Sequence, residues 1–311
     1  MPPLPPTELV LDVLRHAVLP PLLASAAVLA VFFLIGGRRL PAVGAALALI
    51  AGMAAGIHFK KDVLPWTPEE PASWLPWAAP DPEGDGQEVV RPKGPAWHWL
   101  PWAALVALVV GLTARVPKLP EQFRLLLCAA ACALAAWLLV PADLLAKKIW
   151  LQPAFLLVLL IEWAVLEEAA RRAPGGGVPL GLGLVFLGGA AVILHAGSAR
   201  LADVATFAAA SLAGLAVVAW WFQADTGGAM PGAVVLLSGL LLTGYNETFS
   251  DVPWKSFALA ALAPLALIPS LLPPLSRLQG YRLRLLQILL LLVPVAFAVT
   301  YAMQAETLEF E

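Results

Sequence analysis

The 311 residues are 60% hydrophobic and only 13% charged, with a mean hydropathy of +0.83, where soluble domains run at roughly 45–50% and 25%. That balance excludes a water-soluble globular protein and makes the chain a membrane domain. A net charge of −2 with no basic cluster excludes a nucleic-acid binder, and two cysteines inside one apolar run, Cys128 and Cys132, exclude a disulfide framework.

Taken in order, hydropathy predicts an all-α integral membrane protein of about ten transmembrane helices, near 17–36, 40–58, 98–114, 125–141, 153–170, 178–197, 201–222, 229–245, 254–273 and 284–303. The chain start lacks the basic residues of a signal peptide, and no small-residue cleavage site follows Pro20-Pro21, so the first span is expected to stay uncleaved. Pro20-Pro21 opens that span, Pro264 and Pro269 lie inside the ninth, and Pro294 lies inside the tenth. Each proline removes a backbone donor, so these helices are expected to kink or unwind locally.

One long polar connection occupies 60–97. It opens Lys60-Lys61-Asp62, carries Trp66, Trp74 and Trp77, and turns acidic from Asp81 to Glu88. Its first half is expected against the membrane surface and its acidic half as a loop. Further on, residues 178–222 are apolar except for His195-Ala-Gly-Ser-Ala-Arg200-Leu-Ala-Asp203. About 45 residues is twice a bilayer crossing, so this knot reads as a tight turn between two spans. Ser198 or Asp203 is expected to cap the second of them. In that span Ala202, Thr206, Ala210 and Gly214 repeat every four residues, which lets a neighbour approach closely and predicts a central packing helix.

Lys and Arg are richer in the loops holding Arg38-Arg39, Arg115, Lys118, Arg124, Arg171-Arg172, Arg277 and Arg282 than in those holding Lys147-Lys148, Arg200 and Lys255. The first set is expected in the cytoplasm, giving a multi-pass protein of the cell inner (cytoplasmic) membrane with both termini outside.

An internal echo accompanies this layout. Gly36-Gly-Arg-Arg39-Leu40-Pro-Ala-Val43 aligns without gaps on Gly197-Ser-Ala-Arg200-Leu201-Ala-Asp-Val204, and the prolines Pro120 and Pro141 match Pro253 and Pro274. Two pseudo-halves, about 1–172 and 173–311 of a single transmembrane domain, would then carry five spans each in opposite orientations, the inverted-repeat plan of many secondary transporters.

Residues 197–214, the run Leu240-Leu-Leu-Thr-Gly-Tyr245, Pro253 and the Leu-Ala-Pro264-Leu motif resemble stretches of a group of uncharacterised bacterial polytopic membrane proteins. That resemblance covers the C-terminal part of the chain and implies a fold type without an activity. Pro153-x8-Glu162 followed by a glycine-rich span is similar to the drug/metabolite transporters, but the helix count after it departs from theirs.

The residues with chemical potential are few. Glu162 is the one carboxylate near mid-membrane, about 13 Å into its span at 1.5 Å per residue. A charge there costs at least ~2.5 kcal/mol, so Glu162 must meet a partner or water, or be protonated. It is the candidate intramembrane coupling residue. Glu167 with Arg171 and Glu168 with Arg172 have the i,i+4 spacing of a solvated helix end. His195, Arg200 and Asp203 form a candidate outer-face polar site. His16, His58, His98 and His195 all fall at outer span ends near Asp62, Asp203, Glu247 and Asp251, but with no HxxxH-type ligand spacing a metal centre is the weaker reading, and interfacial histidines the stronger. Cys128 and Cys132, one turn apart, read as small packing residues. No hydrolase, zinc-protease, haem or phosphate-loop motif is present, so no cofactor and no catalytic residue is assigned.

Tryptophans are lopsided. Trp66, Trp74, Trp77, Trp97, Trp99, Trp102, Trp137, Trp150 and Trp254 fall outside, and Trp220 and Trp221 inside. Besides the lipid bilayer, that outer surface suits a hydrophobic ligand or a protein partner. The leading expectation is a secondary transporter or carrier-like protein. The alternative is a non-catalytic scaffold subunit of a larger membrane complex.

Overall fold

The structure is a computed structural model that describes residues 11–36, 41–60, 100–113, 120–140, 149–246, 252–273 and 275–308. Among these residues all regular structure is helical. We label the helices α1 (Leu19–Gly36), α2 (Pro41–Phe59), α3 (Leu100–Thr113), α4 (Glu121–Leu139), α5 (Leu151–Arg172), α6 (Gly177–His195), α7 (Ala199–Phe222), α8 (Met230–Asn246), α9 (Trp254–Ala261), α10 (Ile268–Leu271) and α11 (Tyr281–Leu308).

Seven helices among the described residues are long and apolar enough to cross a membrane, and an eighth results if α9 and the segment Ala263–Leu271, bent by 47°, count as one span. The expected count of about ten therefore meets two shortfalls, each with a physical origin. The 14 residues of α3 rise about 21 Å, short of a ~30 Å hydrocarbon core. Helix α5 has 22 residues, but Glu162, Glu167, Glu168, Arg171 and Arg172 lie in it.

The prolines act differently at each site. Pro20 and Pro21 cannot donate to the carbonyls four residues back, and the chain answers with a π-helical turn at Leu14–Val18 before α1. Pro264 and Pro269 break the ninth span outright, with a 3₁₀ stretch at Ala263–Leu267 between α9 and α10. Shorter bonds take over there, such as Leu265 N–H to Leu262 O at 3.0 Å and Leu272 N–H to Pro269 O at 3.2 Å. Helix α11 runs uninterrupted through Pro294.

Packing is organised around α7, as its small-residue stripe predicts. It lies against α6, α1 and α2. An added side chain at Gly214 would run into Leu22 O and Ser25 of α1, one at Gly52 would meet Ser211, and one at Gly56 would meet Phe207. These glycines let the helix backbones approach closely, the source of cohesion when lipid is as apolar as the partner. One continuous core of buried Leu, Val and Ala includes residues from α1 to α11. The exposed large apolar side chains, such as Leu285, Leu289, Val293 and Phe297 along α11, form an outer apolar face suited to lipid.

Two ends are thereby defined. The arginine-rich end gathers the Phe33–Phe222 stack at 4.3 Å, Gly175 N–H bonded to Ala224 O at 3.0 Å, and Arg284 over the Trp220 ring at 5.5 Å. The opposite end carries the start of α1, the α2 terminus at His58 and the α6–α7 turn, joined by Ala17 packing with Phe207 against Ile57 and Val204. We call it the histidine-bearing end.

Candidate functional site

Sequence reasoning offered two places, and the structure separates them. At the histidine-bearing end, Asp203 does not cap α7. It pairs with Lys60 at the end of α2, Nζ to Oδ1 at 2.6 Å. Ser198 occupies the N-cap position without a side-chain cap bond. The expected cap is thus replaced by an inter-helix ion pair, because the helix turn places Asp203 facing α2 rather than its own N-terminus. Arg200 is exposed and His195, closing α6, is half-buried. His16 bonds Asp12 one turn earlier at 2.9 Å, and His58 sits edge-on to Phe59 with ring centres 5.4 Å apart. His98, the loop 61–97, Glu247 and Asp251 lie outside the described residues. Among the described residues no group of three or more His, Cys, Asp or Glu side chains could hold a metal ion.

The interior holds the second place. Glu162 lies midway along α5 with 0% of its surface exposed. Its Oε2 accepts a hydrogen bond from Ser238 Oγ of α8 at 2.9 Å, and its Oε1 has no partner. Helices α4, α5 and α8 pack on one another around this carboxyl, so it is walled by Leu159 and Leu166 of its own helix and by the apolar core. A group held by one hydroxyl in such surroundings has far less support than a carboxylate needs, which makes its proton the natural counter-charge.

Toward the arginine-rich end α5 becomes ionic as its i,i+4 spacing predicts. Arg171 Nη2 meets Glu167 Oε1 at 3.0 Å and Arg172 Nε meets Glu168 Oε1 at 2.7 Å. Arg124 of α4 joins Glu167 at 3.5 Å. Arg172 Nη1 also donates to Leu271 O of α10 at 2.9 Å, fixing the broken span beside α5.

Sequence reasoning missed Ser238 and Gln287 in this interior and Arg284 at the arginine-rich end. Gln287 of α11 is fully buried and donates from Nε2 to Ala169 O of α5 at 3.4 Å, while its Oε1 has no partner. The available signal was the isolated polar residue within an apolar run, as in Leu-Leu-Gln287-Ile-Leu and Leu-Leu-Ser238-Gly.

The chain matches no protein-family model, no curated protein and no solved structure.

Proposed function

We propose that the protein is a secondary carrier of the inner membrane in which Glu162 is the coupling residue, taking up and releasing a proton as the helices around it rearrange. The observation that carries this reading is a fully buried carboxyl with one hydroxyl partner and one unpartnered oxygen, in a core that is mostly apolar. Such a group is costly to keep in a merely structural role. The broken α9–α10 span packed against α5 supplies an element able to move, since discontinuous helices recur at the working sites of carriers.

In this reading α3 and α5 complete ten spans with the seven apolar helices and the bent pair, and the arginine-rich end faces the cytoplasm. The contacts of α2 with α7 and of α3 with α8, each of which a two-fold exchange of halves maps onto itself, favour the five-plus-five plan. The contacts of α11 with α6 and of α7 with α1 are broad, while their exchange counterparts, α5 with α1 and α2 with α6, make no comparable contact, so the halves differ in packing.

The test uses proteoliposomes filled with a cell metabolite extract and given a proton gradient, with the released compounds identified by mass spectrometry. At least one compound should leave vesicles of the native protein and stay in those of Glu162→Gln, with release falling at least about tenfold, or ~1.4 kcal/mol in barrier. Equal release from both overturns the reading. It would leave the scaffold alternative, which one observation favours: Trp137, Trp150 and Trp254, 62%, 60% and 61% exposed, all lie at the histidine-bearing end.

A further inference from the structure

Positive charge outweighs negative at the arginine-rich end. Among the described residues it carries the six arginines Arg124, Arg171, Arg172, Arg277, Arg282 and Arg284 against the four acids Glu121, Glu167, Glu168 and Asp225. The connections 37–40 and 114–119, which join α1 to α2 and α3 to α4 at this end, add Arg38, Arg39, Arg115 and Lys118 and no acid.

Four of the six arginines have partners. Arg124, Arg171 and Arg172 pair with Glu167 and Glu168, and Arg284 is held by Pro174 O and Gln223. The other two flank the turn into α11. Arg277 closes the 3₁₀ turn Leu275–Arg277, Arg282 lies in the first turn of α11, and Gly280, with φ of +61°, bends the chain between them. Both are exposed, and among the described residues neither has a hydrogen bond or an ion pair.

The surface beside them suits a lipid chain. Tyr281, Leu285, Leu289, Val293 and Phe297 recur every fourth residue along α11 and are all exposed, a stripe about 24 Å long at 1.5 Å per residue. The stripe begins at an aromatic rim. The Tyr281 ring meets Trp220 edge-on at 6.4 Å, and the neighbouring Trp221 is 81% exposed. Exposed tyrosine and tryptophan at the end of an apolar span mark the headgroup level of a bilayer. Arg282 follows Tyr281 directly and Arg277 precedes it by four residues, so both cations stand within a few residues of that level. A soluble anion would use the arginines and leave the stripe. A zwitterionic lipid would cover the stripe but bring its own cation to the arginines. An anionic lipid satisfies both.

We propose that the turn between α10 and α11 binds an anionic phospholipid, with its phosphate at Arg277 and Arg282 and an acyl chain along Leu285, Leu289 and Val293. The assignment stands apart from the coupling role of Glu162, since no residue is shared between the two.

The test titrates the purified full chain, in a neutral detergent, with phosphatidylglycerol or with phosphatidylcholine of the same chains, and counts bound lipid by native mass spectrometry. Phosphatidylglycerol should bind more tightly and raise the thermal midpoint, as a ligand of the folded state does. Arg277→Gln combined with Arg282→Gln should weaken it roughly thirtyfold, which is ~2 kcal/mol at about 1 kcal/mol for each arginine near a charged lipid surface. Arg15→Gln combined with Lys255→Gln removes the same charge from exposed positions of the opposite end and should leave the binding unchanged. Should the first double variant fail to fold, its two single variants, each weakened about fivefold, decide the question. Equal binding of the two lipids, undiminished binding without the two arginines, or equal loss from the two charge removals overturns the proposal. Release of phosphatidylglycerol by inorganic phosphate at constant ionic strength also overturns it, and would make the arginines a site for a free anion.

Discussion

Arg284 shows how single residues hold the arginine-rich end together. Its guanidinium bonds Pro174 O at 2.8 Å and the side chain of Gln223, and lies over Trp220. One arginine of α11 thus ties the α5–α6 and α7–α8 turns, and both turns bend for it. Gly175 has φ of +119° and Gln223 has φ of 51°, and an added methyl at Gly175 would press on the guanidinium. Only glycine adopts the first of these angles without strain. Gly175→Ala should therefore cost about 1–3 kcal/mol from backbone strain, and Arg284→Ala about 1.5–3 kcal/mol from a lost charged hydrogen bond. Both are measurable as lowered thermal midpoints in detergent. Because they act through one contact, the double variant should lose less than the sum. None of this was visible in the sequence, where Arg284 is one of three arginines near the start of an apolar run.

Helix α7 carries its role in its own sequence. Small residues every fourth position predicted close neighbours, and α1 occupies that place at Gly214, while α2 brings its own glycines, Gly52 and Gly56, against the adjacent Ser211 and Phe207. Thr206 bonds Ala202 O at 2.9 Å and Ser211 bonds Phe207 O at 2.7 Å, so its hydroxyls are satisfied within the helix and the stripe works by shape. Replacing Gly214 by Leu should overpack the junction with Leu22 and Ser25 and cost about 1–3 kcal/mol. Val217→Leu, at an exposed position of the same helix, should leave the unfolding midpoint unchanged. Equal loss from the two would show that α7 is not organised by its small-residue face. The broken span teaches the converse. Two prolines five residues apart announced an interruption, and the 47° bend is where they placed it.

Across the whole molecule, helix direction follows from contacts read in order. Gly177 meets Arg284, Gly181 meets Leu291 and Gly188 meets Val295, so α11 runs parallel to α6 and finishes at the histidine-bearing end. The start of α1 lies at that same end, where Ala17 meets Phe207. Tags at the two chain ends should therefore be digested together by protease added to one side of sealed vesicles, and spared together from the other. Digestion of one tag alone would contradict this arrangement. The same experiment on intact cells tests the expected placement of both termini outside.

Composition and period determined the membrane class, most helix positions, the proline break and the ion pairs Glu167–Arg171 and Glu168–Arg172, because each depends on neighbours within one helix. The sequence also singled out Glu162 as the carboxylate that needs a partner. What the partner is, only the tertiary structure decided: Ser238 lies 76 residues away in sequence, Gln287 reaches α5 from 118 residues away, and Lys60 takes Asp203 from its expected cap. In water a buried face is betrayed by its apolar stripe, but in a bilayer the lipid-facing side is as apolar as the packed one. The rotation and register of each helix, which choose these long-range partners, therefore left little trace in the pattern of residues and were settled by the packing of small side chains.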